Sequence, residues 1–94
     1  MARLIRSDGT EETVLPIGKR WTLQELQTHV GGYIEIMPGI GKILMILDEE
    51  GLLKMKPINH KATDIVMEAL QGKVLRYQPL IVGDVLILEK GEKM

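Results

Sequence analysis

Apolar positions recur along this chain in two rhythms, and both are present between Trp21 and Met37. Leu23, Leu26 and Val30 recur at three- and four-residue spacing, which places them on one helical face and leaves Gln24, Glu25, Gln27 and Thr28 to water. Thr22, three residues before Glu25, forms a capping box in which the hydroxyl takes one orphan N–H and the carboxylate reaches back to another. Trp21 ahead of the cap and Leu26 at the fourth helical position make a hydrophobic staple. Gly31 or Gly32 can take the left-handed conformation that stops a helix. The period then drops to two: Ile34 and Ile36 share the core face of a strand, Tyr33 and Glu35 the other face.

The same reading extends in both directions. Ala2 to Arg6 and Glu12 to Leu15 flank Ser7-Asp8-Gly9-Thr10, a hairpin signal in which the Asp-Gly pair is expected to take positive φ at both central positions. Pro16-Ile17-Gly18 closes that hairpin before the capped helix, and Met37-Pro38-Gly39-Ile40-Gly41 reads as a turn or wide loop. Lys42 to Asp48 is apolar on both faces, as suits a central strand covered from both sides. Leu52 to Ile58 alternates Lys54 and Lys56 with apolar residues ahead of Pro57, and reads as an edge strand or extended arm. Asn59 caps a second helix carrying Ala62, Ile65, Val66, Ala69 and Leu70 on one face, stopped at Gly72. Val74 to Gln78 is extended until Pro79 breaks it, Val85 to Leu88 is the last strand after a Gly83-Asp84 turn, and Gly91 to Met94 frays. The expected form is one α+β domain over residues 1–94, with a mostly antiparallel twisted sheet of four to six strands and two short helices.

Composition narrows the classes. Ninety-four residues bury roughly 60 to 65% of the surface of the unfolded chain, which leaves no room for a second domain. With no Phe, one Trp and two Tyr, the core must be built from Ile, Leu, Val and Met, and six Met make the core or a contact surface adaptable. Twelve basic and thirteen acidic residues give a net charge of −1, so neither a basic DNA or RNA binder nor an acidic DNA mimic is expected. The absence of Cys removes disulfides and thiolate ligands, and no apolar run reaches the ~18 residues of a membrane span or forms a signal-peptide core. A cytoplasmic protein is expected.

Candidate chemistry is sparse. Gly39-Ile40-Gly41-Lys42 resembles a phosphate loop, but Ile36 and Ile43 occupy the places of the required glycine and hydroxyl. His29 and His60 lie on different helices without a second ligand at helical spacing, so no metal and no cofactor are expected. Ser7, the only serine, sits at a hairpin tip where a buried base is not anticipated. Asp48, Glu49 and Glu50 bunch three carboxylates that could bind a divalent cation or serve as an acid–base pair, although acidic turns are ordinarily solvated. Lys54, Lys56 and Lys61 could form a basic patch beside the start of the second helix, where Asn59, Lys61 and Thr63 are the best candidate anion or nucleotide contacts; a simple cap with edge lysines is the plainer reading. Tyr33 and Glu35 could stack on a ring and accept from ribose or amino groups, or form an ordinary cross-strand polar pair.

Leu23-Gln24-Glu25-Leu26-Gln27 leading into Val30-Gly31-Gly32-Tyr33-Ile34-Glu35 resembles a family of short proteins of unknown function encoded by phages, prophages and plasmids of Gram-positive bacteria. The likeness continues through Asp48-Glu49-Glu50-Gly51-Leu52, through Pro57-Ile58-Asn59-His60-Lys61-Ala62-Thr63 and to Ile81-Val82-Gly83-Asp84-Val85, and so covers most of the chain from Trp21 onward. It implies an accessory protein of a mobile element working inside a bacterial host, and names no reaction.

The expected function is therefore non-catalytic: a homo-oligomer that sequesters a nucleotide-like signal of host defence, with Tyr33, Glu35, Asn59, Lys61 and Thr63 at the ligand. The alternative is an interaction module that inhibits a host protein through a sheet edge or Met-rich face. An enzyme acting through Asp48 to Glu50 ranks last.

Overall fold

A computed structural model describes residues 2–40, 43–69 and 81–89. Seven elements follow in order: β1 (Ala2–Ile5), β2 (Glu11–Val14), α1 (Leu23–Val30), β3 (Ile34–Ile40), β4 (Ile43–Asp48), α2 (His60–Ala69) and β5 (Val85–Glu89). The strands form one antiparallel sheet in the order β2-β1-β5-β4-β3, with a helix on each face. The fold is α+β, as the chain's periodicities predict.

The sheet's alternation builds two cores at once. Leu86 and Leu88 of β5, Ile46 of β4 and Ala2 and Leu4 of β1 face α1, where Leu26, Val30 and Trp21 close the layer. Val85 and Ile87, Met45 and Leu47, and Ile5 face the opposite way, against Ala62 and Val66 of α2 and Ile81. β4 and β5 are thus apolar on both faces because both faces are covered. Each fully buried side chain of this size contributes roughly 1.5–3 kcal/mol of burial.

α1 begins at the complete capping box: the Glu25 amide donates to Thr22 Oγ1 (3.2 Å) while Glu25 Oε1 accepts from the Thr22 amide (3.2 Å). It ends at Gly31 with φ +81, where the Gly31 amide donates to the Gln27 carbonyl. Leu23, expected on the buried face, is 58% exposed. Trp21, 3% exposed, folds in ahead of the cap and takes the core position under the first turn.

Three local expectations need correction. The first hairpin has positive φ at Gly9 alone, not at Asp8; Gly9 N–H donates to the Arg6 carbonyl and Arg6 N–H to the Thr10 carbonyl, giving a longer loop than a two-residue turn. Of the turn or loop expected over Met37 to Gly41, residues 37–40 instead continue β3 through a register shift between Met37 and Ile40, where a proline lacking its N–H fits an irregular edge strand, and Gly41 lies outside the described residues. Leu52 to Ile58 is not a strand either. It coils back on itself, with Lys54 N–H donating to the Glu50 carbonyl and Lys56 N–H to the Gly51 carbonyl, and among the described residues only Ile58 forms a bridge, to Val82. Leu70, the Gly72 stop, the Val74–Gln78 segment, Pro79 and the Gly91–Met94 terminus lie outside the described residues.

Candidate functional site

Asp48 ends β4 at the edge of the core, and its side chain has no exposed surface. Its Oδ2 lies 2.6 Å from Lys56 Nζ and 2.9 Å from Lys54 Nζ, and its Oδ1 accepts from the Glu50 amide at 2.8 Å. Burial pushes the carboxyl up, but the two ammonium groups and the amide outweigh it and hold the pKa at about 2. The same lysines reach the open carbonyl end of α1: Lys56 Nζ donates to the Val30 carbonyl at 2.8 Å and Lys54 Nζ to the Gly31 carbonyl at 3.4 Å. Two cations therefore bridge one buried carboxylate to the negative end of a helix. The alternation of Lys54 and Lys56, read from sequence as a strand pattern, instead delivers both ammonium groups to one oxygen.

The glycines at this corner are explained by how closely the lysines approach. A Cβ on Gly32 would stand 2.5 Å from Lys54 Nζ and 2.8 Å from Asp48 Oδ2. One on Gly83, whose φ is +74, would stand 2.7 Å from the Lys56 Cδ. Asn59, fully buried, ties the corner to α2: its Nδ2 donates to the carbonyls of Ile5 (2.9 Å) and Gly83 (2.8 Å), and its Oδ1 accepts from the Ala62 amide (2.9 Å). Thr63 Oγ1 donates to the Asn59 carbonyl and accepts from the Ile81 amide. The strings Val30-Gly31-Gly32, Asp48-Glu49-Glu50-Gly51 and Pro57-Ile58-Asn59 thus meet at one end of the sheet.

Among the described residues, three cavities open around α1. One, of about 330 Å³, is lined by Gln24, Gln27, Thr28, Tyr33, Glu50 and Lys54 together with Gly32. Another, of about 360 Å³, lies across Gly31 and includes Ser7, Thr28, His29, Lys56 and Asp84. The third, of about 550 Å³, follows the α1 N-terminus past Ile17, Arg20 and Glu25. Tyr33 is 66% exposed, and no hydrogen bond engages the Gln24 or Gln27 side chain among the described residues. Ser7, His29 and Asp84 are the residue types of a nucleophilic triad, but Asp84 Oδ1 accepts from the Ser7 backbone N–H (3.0 Å) and His29 stacks edge-on against Trp21 at 5.7 Å. They are not wired as nucleophile, base and orienting acid.

The five residues singled out from sequence are not gathered in one cavity. Tyr33 precedes β3 and lines the groove beside α1, whereas Glu35 pairs with Leu47 and shares the α2 side of the sheet with Met37, so the two do not share a face. Asn59 and Thr63 spend their side chains on main-chain groups. Lys61 Nζ pairs with Glu11 Oε1 at 3.0 Å, far along the sheet order from the Asp48 lysines, so the expected basic patch does not form. Glu11 is held at about 2 by Arg3 first and Lys61 second. Sequence reasoning missed Gln24, Gln27 and Lys54 as groove residues. A helix face that is polar and lacks any i, i+4 charge partner was the available signal.

Fold and corner together define a small α/sheet/α domain with a polar groove over an ion-clamped loop junction. The whole chain, residues 1–94, matches the family described as Domain of unknown function (DUF3846), and the protein belongs to that family. No curated protein and no solved structure matches it. Among the described residues no helix is long and apolar enough to cross a membrane, and no group of three His, Cys, Asp or Glu could hold a metal ion.

Proposed function

We propose that this protein binds a nucleotide-like ligand in the groove beside Tyr33 and holds it without chemical change, as an accessory protein of a phage or plasmid that withdraws a defence signal inside the host cell. The observation that carries the reading is the exposed Tyr33 at a groove with the unengaged amides of Gln24 and Gln27 and the ammonium of Lys54. An exposed ring can stack on a base, primary amides match the donor and acceptor edges of a base, and an ammonium meets a phosphate. Asp48 supports the non-catalytic part. Locked to two lysines and ionised down to about pH 2, it has no proton to give at neutral pH and is a weak proton acceptor, which argues against acid–base work by the buried member of the three carboxylates.

The test is thermal unfolding with mononucleotides, cyclic di- and trinucleotides and ADP-ribose derivatives, followed by heat release of the bound compound. A ligand present at a hundred times its Kd stabilises by about 2.7 kcal/mol, a rise in Tm on the order of 10 °C for a domain this small. The released compound should be unaltered. No shift with any of them removes the proposal, and an altered product makes the protein an enzyme. The reading also includes a homo-oligomer, so sedimentation should give a species heavier than the 10.6 kDa monomer.

One observation favours the alternative, an interaction module. Leu52, Leu53 and Met55 are 66%, 81% and 88% exposed in one turn, and Met55 holds a φ of +56, which a non-glycine residue adopts at a cost of roughly 1–3 kcal/mol. Stoichiometric capture of one host protein by the wild type, lost with Leu53→Ser, would favour it over the ligand reading.

A further inference from the structure

Two of the cavities flank the C-terminal end of α1, and Thr28 lines both. Gly32 borders the first and Gly31 the second, so consecutive residues separate them. Lys54 belongs to the first and Lys56 to the second, yet both ammonium groups contact the same Asp48 oxygen and are therefore neighbours across that divide. Lys54 and Lys56 thus set two ammonium groups where both cavities meet, with Asp48 beneath them and Glu50 and Asp84 at the outer ends. Ammonium donors limited to that junction suit a singly charged phosphodiester better than a polyphosphate, whose further charges would face Glu50 on one side and Asp84 on the other. Each cavity, at about 330 and 360 Å³, sits at the small end of ligand pockets and takes one nucleoside-sized unit. Tyr33 offers a stacking ring in the first, and in the second the Ser7 hydroxyl has no protein partner among the described residues.

We propose that the two cavities hold the two halves of a single dinucleotide, with one base on Tyr33, the phosphodiester over Lys54 and Lys56, and the second nucleoside against Ser7 and His29. This rests on the nucleotide reading above and names its ligand class. Carboxylates at the outer ends, Glu50 and Asp84, are then acceptors for sugar hydroxyls or base amino groups. Joining two weakly held units through one phosphate makes the second contact intramolecular, which raises affinity without any new kind of contact.

Calorimetric titration of the full chain with four dinucleoside monophosphates (ApA, GpG, CpC, UpU) and with the corresponding mononucleotides tests it. The best dinucleotide should bind at least ~10-fold more tightly than its mononucleotide. Ser7→Ala and His29→Ala, each checked for a native far-ultraviolet circular dichroism spectrum and cooperative unfolding, should weaken the dinucleotide several-fold and leave the mononucleotide unchanged, while Tyr33→Ala weakens both. Equal affinity for the two ligand sizes, or a dinucleotide indifferent to both Ser7→Ala and His29→Ala, overturns the two-cavity proposal and leaves the single-groove reading standing. Binding of neither size overturns both.

Discussion

Replacing Asp48 with Asn keeps the shape of the side chain and removes its charge. Breaking a buried ion pair typically costs about 3–5 kcal/mol because the stranded partner stays buried. Here the partners can turn toward water, since the side chains of Lys54 and Lys56 are 40% and 22% exposed, and a loss of about 2–3 kcal/mol is expected at pH 7. The pH dependence gives an independent figure. The folded carboxyl, at about 2, lies below its ordinary 3.8, so its stabilisation is fully present above pH 4 and is lost as the pH falls through 3 toward 2. At about 1.4 kcal/mol per unit, that shift is worth about 2 kcal/mol at neutral pH and roughly half as much at pH 3. Glu11, also held at about 2, is present in both proteins and cancels in their difference. Urea unfolding followed by Trp21 fluorescence, the only tryptophan and a buried one, reads the gap directly at pH 7, 4.5 and 3. A D48N protein within 0.5 kcal/mol of wild type at pH 7 by that order-of-magnitude standard, or a gap that stays constant down to pH 3, would refute the ion-clamp reasoning.

Three further perturbations address the same corner and its supports. Gly32→Ala should cost about 1–3 kcal/mol in urea unfolding, because the new methyl displaces Lys54 and presses on the fixed Asp48 carboxylate; in the isosteric D48N background the clash remains and only the part owed to the lost Lys54 ion pair should shrink. Asn59→Ala should lower stability by about 3 kcal/mol, since it leaves the Ile5 and Gly83 carbonyls and the Ala62 amide unbonded, and Asn59→Asp should be no better because a carboxylate meets two carbonyls. Thr22→Ala should cost about 1 kcal/mol by thermal melt through loss of the cap of α1, with no change in the pH dependence assigned to Asp48.

What the sequence revealed was what is encoded within a few residues. The Thr22–Glu25 box, a glycine stop at Gly31 or Gly32, the two-sided apolar run of β4 and the last strand at Val85 to Leu88 are local signals with local causes, and the structure has each, with Gly31 as the stop. Asn59 was recognised as a cap from its position, but its other role depends on carbonyls at Ile5 and Gly83, distant in sequence, and that commitment was invisible. Asp48 read as one of three solvated carboxylates because nothing local distinguishes it from Glu49. Only the coil of residues 50–56 brings Lys54 and Lys56 to its oxygen. The pairing of Tyr33 with Glu35 failed for a related reason: strict alternation assumes that the strand has begun, and β3 begins one residue after Tyr33. Pro38-Gly39 carried a turn signal that the edge position of β3 absorbed as an irregularity.

Amide chemical-shift mapping with the tightest nucleotide found in the thermal screen most directly tests whether the Tyr33 groove is a ligand site. Binding there predicts saturable shifts at Gln27, Gly32, Tyr33 and Lys54, abolished by Tyr33→Ala. Shifts confined to the Leu52–Met55 turn, or a spectrum unchanged at millimolar nucleotide, would contradict it.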